Sequence, residues 1–273
     1  MTGPRPTVRD AAPGASAISL PAPGRRPILG VMQTAPVSVL DRIVAILEAV
    51  RGSGGAATVA DLARATGIPK STTSRTVAEL VQRGYLERTP RGVVIGIRLF
   101  EFGARASTPR RLIAAALPVL AELFNATGEH LNVAVQDGRD MLSVISVRGR
   151  LRPAPSRAGV RVPAATTALG KAFLAFTSDE SAARAITDGL DSRGRSRLER
   201  ELEHVRSCAV AIDRCETFPG VVGVASPVLS PQLAPVAAIS VAGPVRGMDT
   251  ERMIPLVRHA ALALTRRLAL QAV

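Results

Sequence analysis

Apolar positions recur at helical spacing from Val37 onward. Val39, Leu40, Ile43, Ile46, Leu47 and Val50 fall on one face of a helix. Ser38 can cap that helix, with Asp41 three residues on as its capping-box partner, and Gly52–Gly55 ends it. A second helix starts at Thr58 with Asp61 at the third following position, turns Val59, Leu62 and Ala63 inward, and stops at Gly67. Ile68-Pro69 makes a turn. A third helix opens at Lys70 or Ser71 and runs through Arg83, with Val77, Leu80 and Val81 inward. Gly84-Tyr85-Leu86 leads into a strand, Arg88-Thr89-Pro90-Arg91-Gly92 turns, and Val93-Val94-Ile95 returns. Residues 37–96 therefore read as helix, helix, tight turn, helix and β-hairpin, the order of a winged helix-turn-helix.

The pattern then changes. Residues 97–110 make an amphipathic linker helix carrying Ile97, Leu99, Phe100 and Phe102, and a further helix spans Arg110–Phe124 up to Gly128. Residues 111–273 alternate helices and strands. A hairpin pairs Leu131–Gln136 with Met141–Val147, and an arginine-rich loop covers 148–161 with Arg148, Arg150, Arg152, Arg157 and Arg161. Helices follow at Ala164–Phe176, Asp179–Thr187 and Arg197–Cys208. Strands Ala209–Asp213, Val221–Leu229 and Val236–Val241 precede a last helix, Asp249–Leu270. This is an α+β arrangement with an antiparallel sheet and flanking helices, a shape able to hold a small ligand. Residues 1–36 hold seven prolines and no apolar period, and read as a disordered tail that adds loose phosphate attraction or nothing.

Charge sharpens the first reading. The chain carries 35 Lys+Arg against 22 Asp+Glu, a formal +13, and only Lys70 and Lys171 are lysines. Residues 1–110 hold 15 cations and 7 anions, a higher basic density than the rest. A polyanion partner fits this balance. On the third helix Lys70, Ser71, Thr72, Thr73, Arg75 and Thr76 are expected to face outward, into a major groove. Arginine can grip guanine with two bonds and hydroxyls can meet bases or phosphates. Arg88 and Arg91 of the wing are placed to follow the neighbouring backbone. A winged helix that binds only protein would show the same helical pattern.

Other classes find little support. Two cysteines and three scattered histidines offer no zinc site, no cofactor motif and no Ser–His–Asp set, so the chain is not read as an enzyme. An enzyme acting on a small organic acid stays as an alternative. Cys208 and Cys215 are expected to be buried, inert thiols. The uncharged run Pro219–Val245 contains five prolines and reads as two buried strands, not as a membrane span. The amino terminus shows no secretory signal, and a cytoplasmic location is expected. Lys171 after Gly170 lacks the rest of a phosphate-binding loop and is expected to be structural.

In order and spacing these words resemble the IclR-type bacterial transcriptional regulators. The resemblance rests on the run from Thr58 to Thr72 (TVADLARATGIPKST), on Gly84-Tyr85-Leu86 and on Arg98-Leu99-Phe100-Glu101-Phe102-Gly103. In the second half it rests on Val162-Pro163, Thr167-Ala168-Leu169-Gly170-Lys171, Asp213-x-x-Glu216-x-x-x-Gly220-Val221, Ala225-x-Pro227-Val228 and Ile239-Ser240-Val241-x-Gly243-Pro244. It implies a GAF-like effector-binding domain behind the winged helix, a homodimer or dimer of dimers on a near-palindromic operator, and a small-molecule effector that alters operator affinity. The effector site it implies comprises Ala168, Leu169, Asp213, Gly223, Ser240 and Ala242. Ala165, Gly223 and Ala242 stand where relatives often carry His, Cys and Ser, and Cys215 and Val93 also depart from the common pattern. These changes imply a bulkier or more apolar effector than a glyoxylate-like acid.

Overall fold

The computed structural model describes residues 38–105, 107–151 and 157–270. The expected tail, and Arg152 of the arginine-rich loop, lie outside the described residues. The chain divides into two compact units between Ala114 and Ala115.

The first unit holds α1 (Val39–Gly52), α2 (Val59–Thr66), α3 (Lys70–Gln82), β1 (Leu86–Thr89), β2 (Gly92–Ile95) and α4 (Ile97–Gly103). Both expected capping boxes form. Ser38 Oγ accepts the Asp41 N–H at 3.0 Å while the Asp41 carboxylate accepts the Ser38 N–H at 3.1 Å. Thr58 and Asp61 do the same for α2. Such caps satisfy N–H groups that the first helical turn leaves open, worth about 1 kcal/mol each. Gly67 ends α2 in the left-handed region at φ 71°. Ile46, Val50, Leu62, Val77, Leu80, Leu86 and Val93 close a small aliphatic core beneath the three helices and the hairpin.

In the second unit the helix α5 (Ser107–Thr127) leads into a sheet, having begun in the first. Six antiparallel strands lie in the order β5-β4-β3-β8-β7-β6, being β3 (His130–Asp137), β4 (Asp140–Val147), β5 (Arg161–Pro163), β6 (Ala211–Arg214), β7 (Val221–Leu229) and β8 (Pro235–Pro244). The uncharged run is indeed β7 and β8, two neighbouring inner strands of the sheet, largely buried, with Pro227 inside β7. Among the described residues no helix is long and apolar enough to cross a membrane. The remaining helices are α6 (Ala168–Leu174), α7 (Glu180–Thr187), α8 (Ser192–Cys208) and α9 (Thr250–Leu270). The helix expected over Ala164–Phe176 is shorter than its apolar run. Ala164–Thr167 turn first, and Thr167 Oγ1 caps α6 by accepting the Gly170 N–H at 3.2 Å. Gly170 is required because a Cβ there would collide with the Ala164 backbone.

Register fixes which side chains share a face. Gly223 of β7 pairs with Asp213 of β6 on one side and with Ala242 of β8 on the other, and Ala242 pairs with His130 of β3. Directly opposed residues point to the same face of a sheet. One row across four strands therefore reads His130, Ala242, Gly223, Asp213, and the next reads Asn132, Ser240, Ala225, Ala211. α6 covers this face, because a Cβ on Gly223 would lie 3.7 Å from the Ala168 methyl.

Candidate functional site

The first candidate surface is α3 and the wing. Lys70, Ser71 and Arg75 are exposed, and Thr72 and Thr76 are half-buried at the margin of the same face. Thr73 departs from the expectation of an outward hydroxyl. It is fully buried, and its Oγ1 donates to the carbonyls of Ile68 and Pro69 at 3.2 Å each. Thr73, Val77 and Leu80 stand at i, i+4 and i+7, so helical period assigns Thr73 inward and its hydroxyl closes the turn before α3. Ser74, which sequence reasoning passed over, is exposed between Ser71 and Arg75.

The wing is held by a short bridge. Ala57 and Val93 exchange backbone bonds of 2.9 and 2.8 Å, tying β2 to the residues that open α2. Gly92, at φ 137°, makes this approach possible, since a Cβ there would strike the Ala57 carbonyl. Arg88 on β1 and Arg91 in the turn are both exposed. Among the described residues none of Lys70, Arg75, Arg88 and Arg91 has an ion-pair partner, whereas Arg51 and Arg64 are paired to Glu48 and Asp61 on their own helices. Four uncommitted cations on a recognition helix and its wing form a surface suited to phosphates and guanine edges.

The second candidate site is the row beneath α6. Of the six residues the sequence singled out, Asp213, Gly223 and Ala242 lie side by side across three strands, Ala168 sits over Gly223, and Ser240 is one row along. Leu169 is buried in the same α6 core. Between His130 at one end and Asp213 at the other, the row carries only a methyl and a hydrogen. At about 4.8 Å between strands, this run of small side chains spans about 14 Å from end to end, a trough in the sheet face that α6 packs over, with the Ala168 methyl above Gly223. Apolar cover comes from Phe218, which packs with Leu151, Val221 and Ala242.

Asp213 also has a turn role. One carboxylate oxygen accepts the Glu216 N–H at 2.8 Å, and no ion pair joins it to Arg214. Burial pushes its pKa up, against the opposing effect of that backbone bond. Sequence reasoning missed His130 and Asn132, which are buried in register with Ala242 and Ser240. Asn132 Oδ1 accepts a bond from Ser143 at 3.1 Å, and Ser146 Oγ lies 3.3 Å from His130 Nε2. Their signal was present: alternation along β3 places both on the face shared with Ser240.

Lys171 is buried and structural. Its Nζ donates to Glu201 and Glu216 at 2.6 Å each and sits 3.4 Å from the Ile212 carbonyl, so all three protons have acceptors. Arg197 completes the set against Glu201 at 2.9 Å and Glu216 at 3.5 Å. Burial raises the Glu201 pKa, but the bonds from Lys171 and Arg197 outweigh it and the net direction is down. Among the described residues no cluster of His, Cys, Asp or Glu could hold a metal ion.

Comparison with known families is decisive for the fold as a whole. Residues 39–90 match the IclR helix-turn-helix domain, and residues 105–266 match the family described as bacterial transcriptional regulator IclR C-terminal. The chain belongs to the IclR family of transcriptional regulators. It is similar to the transcriptional repressor IclR of Escherichia coli, 28% identical over 243 residues that cover 84% of this chain and 89% of that protein. It is also similar to the acetate operon repressor of Salmonella typhimurium, 27% identical over 86% of this chain and 92% of that one. Among solved structures, an IclR homologue from Microbacterium hydrocarbonoxydans, complexed with 4-hydroxybenzoate, superposes with a TM-score of 0.77 at 26% identity. The match covers 86% of this chain and all of that one. The IclR regulator of Thermotoga maritima aligns with a TM-score of 0.67 at 25% identity, covering 84% of this chain and 98% of its own. The winged helix-turn-helix and the α/β domain behind it are thus those of the IclR regulators, a DNA-binding family.

Proposed function

We propose that this chain is a repressor that binds a near-palindromic operator as a homodimer and changes its affinity when a small organic acid occupies the trough beneath α6. The carrying observation is the set of four unpaired cations on α3 and the wing. Lys70, Ser71, Thr72, Arg75 and Thr76 contact base edges and flanking phosphates, and Arg88 and Arg91 track the adjacent backbone. A single reading helix covers only a short half-site, so two copies are needed for operator-length recognition. Exposed Val39, Leu40 and Val44 on α1 and exposed Ile97 and Phe100 on α4 supply apolar surface for that pairing.

The effector reading rests on the trough. Its Gly223 and Ala242 floor, the Phe218 and Leu151 cover, and polar Asp213, Ser240, His130 and Asn132 suit a ring or branched chain bearing a carboxylate or hydroxyl. This is bulkier than a two-carbon acid. The bound 4-hydroxybenzoate of the Microbacterium homologue is a ligand of that size. Effector and operator then compete by linkage, with a coupling of about 1–3 kcal/mol. The test is a gel shift on the DNA upstream of the chain's own gene, titrated with 4-hydroxybenzoate and with glyoxylate. Shift of a discrete fragment, released by the aromatic acid and not by glyoxylate, is expected. Absence of any sequence preference would end the operator reading, and release by glyoxylate alone would end the effector reading.

A further inference from the structure

A groove of about 580 Å³ runs along the free edge of the sheet, between β6, α8 and the start of α9. It is not the trough beneath α6. Val210, Ile212 and Arg214 line it, and alternation along a strand puts these three on the face opposite Ala211 and Asp213. From α8 it takes Arg197, Arg200, Glu201, His204, Val205 and Cys208, which fall on successive turns of one helical face, and from α9 it takes Ile254.

The charges along it do not cancel. At one end Lys171 and Arg197 face Glu201 and Glu216, two cations against two carboxylates, and the ammonium has no proton left to offer. Arg200 and Arg214 are exposed and have no ion pair among the described residues, with His204 beside them on α8. Val205, Val210, Ile212 and Ile254 make the rest of the wall aliphatic, and no Phe, Tyr or Trp lines it. Its volume falls in the range of small-molecule sites, about 300–1,000 Å³. We propose that this edge groove is a second ligand site, separate from the effector trough, that takes an amphipathic anion: an unbranched aliphatic chain against Val205, Val210, Ile212 and Ile254, with its acidic head at Arg200 and Arg214. The inference is independent of operator binding.

Cys208 and Cys215 are half-buried, not buried as expected from the sequence, and Cys208 provides the readout, because it lines the groove and becomes the only thiol of the chain in a Cys215→Ser background. The rate of N-ethylmaleimide labelling of Cys208 in the full-length chain is measured with decanoate below its micellar concentration. At about four times the Kd, mass action predicts about fivefold slower labelling. Decyltrimethylammonium, with the same tail and the opposite charge, is expected to leave the rate unchanged. Arg200→Ala combined with Arg214→Ala is expected to remove the protection by decanoate, measured against the double variant's own ligand-free rate, with the far-UV circular dichroism unchanged. Absence of protection by decanoate overturns the proposal. So does equal protection by the cationic analogue, protection that survives in the double variant, or protection that appears without ligand as protein concentration rises, which would assign the groove to a second copy of the chain.

Discussion

Single residues in this chain divide sharply into those that hold the fold and those left over for partners. Thr73 and Arg75 are two positions apart on α3, yet one is fully buried and hydrogen-bonded while the other projects without a partner. Arg75→Ala is expected to abolish preference for operator over random DNA, by about 1–3 kcal/mol, with no change in thermal unfolding. Thr73→Val is expected to do the reverse, lowering the stability of the first unit by about 1 kcal/mol through a lost buried hydrogen bond. Fluorescence-anisotropy binding and denaturant unfolding of both variants read out the contrast. Asp213 bears on pH. Its folded pKa is raised, so the folded state holds this proton more tightly than the unfolded chain does. Its contribution favours folding at pH below its folded pKa and fades as pH rises through it. Asp213→Asn keeps an acceptor for the Glu216 N–H and should flatten this pH dependence of unfolding. The same variant should weaken the effector response if the carboxylate binds ligand.

Elements show how much of this was legible in advance. Helical period, capping residues and glycines predicted α1, α2, α3 and the wing to within a residue or two, because each signal there is local. The same is true of the β3–β4 hairpin, announced by Asp137-Gly138 between alternating runs. α6 was overextended because its turn is set by a contact: Thr167 must reach the Gly170 N–H while Gly170 lies against Ala164, and neither requirement shows as periodicity. Site residues divide in the same way. The outward cations followed from spacing alone. His130 and Asn132 were passed over because their neighbours Ala242 and Ser240 are more than a hundred residues away, and pairing between distant strands leaves no trace in either strand by itself. Two element-scale outcomes can be measured. Gly223→Val should fill the trough and suppress the response to 4-hydroxybenzoate with operator affinity retained. Arg91→Ala in the wing should weaken binding to all sequences equally and lower the log–log salt slope by about one.

At the scale of the whole molecule, two physically different chemistries share one chain. The first unit presents exposed positive charge, so its affinity for DNA must fall steeply with salt. The candidate trough in the second is buried and weakly polar, so its ligand contacts should be nearly salt-independent. Titrating operator release by 4-hydroxybenzoate at two salt concentrations should therefore shift the operator Kd strongly and the effector midpoint, corrected for linkage, hardly at all. The ion quartet around Lys171 secures the second unit. Lys171→Met would leave Glu201 and Glu216 with the exposed Arg197 as their one remaining cation and is expected to cost about 3 kcal/mol, read as a lowered unfolding midpoint.

The chain contains only two lysines, and the quartet withholds one of them from any reagent. Apart from the amino terminus, the only open amine is Lys70, at the start of the helix proposed to meet DNA. Side-chain acylation of this protein is thus confined to one atom, and a single acetyl group there would erase a charge on the surface proposed to contact the operator. The same concentration of reactivity gives a footprint: operator DNA is expected to protect Lys70 from an amine-selective label in proportion to the copies bound.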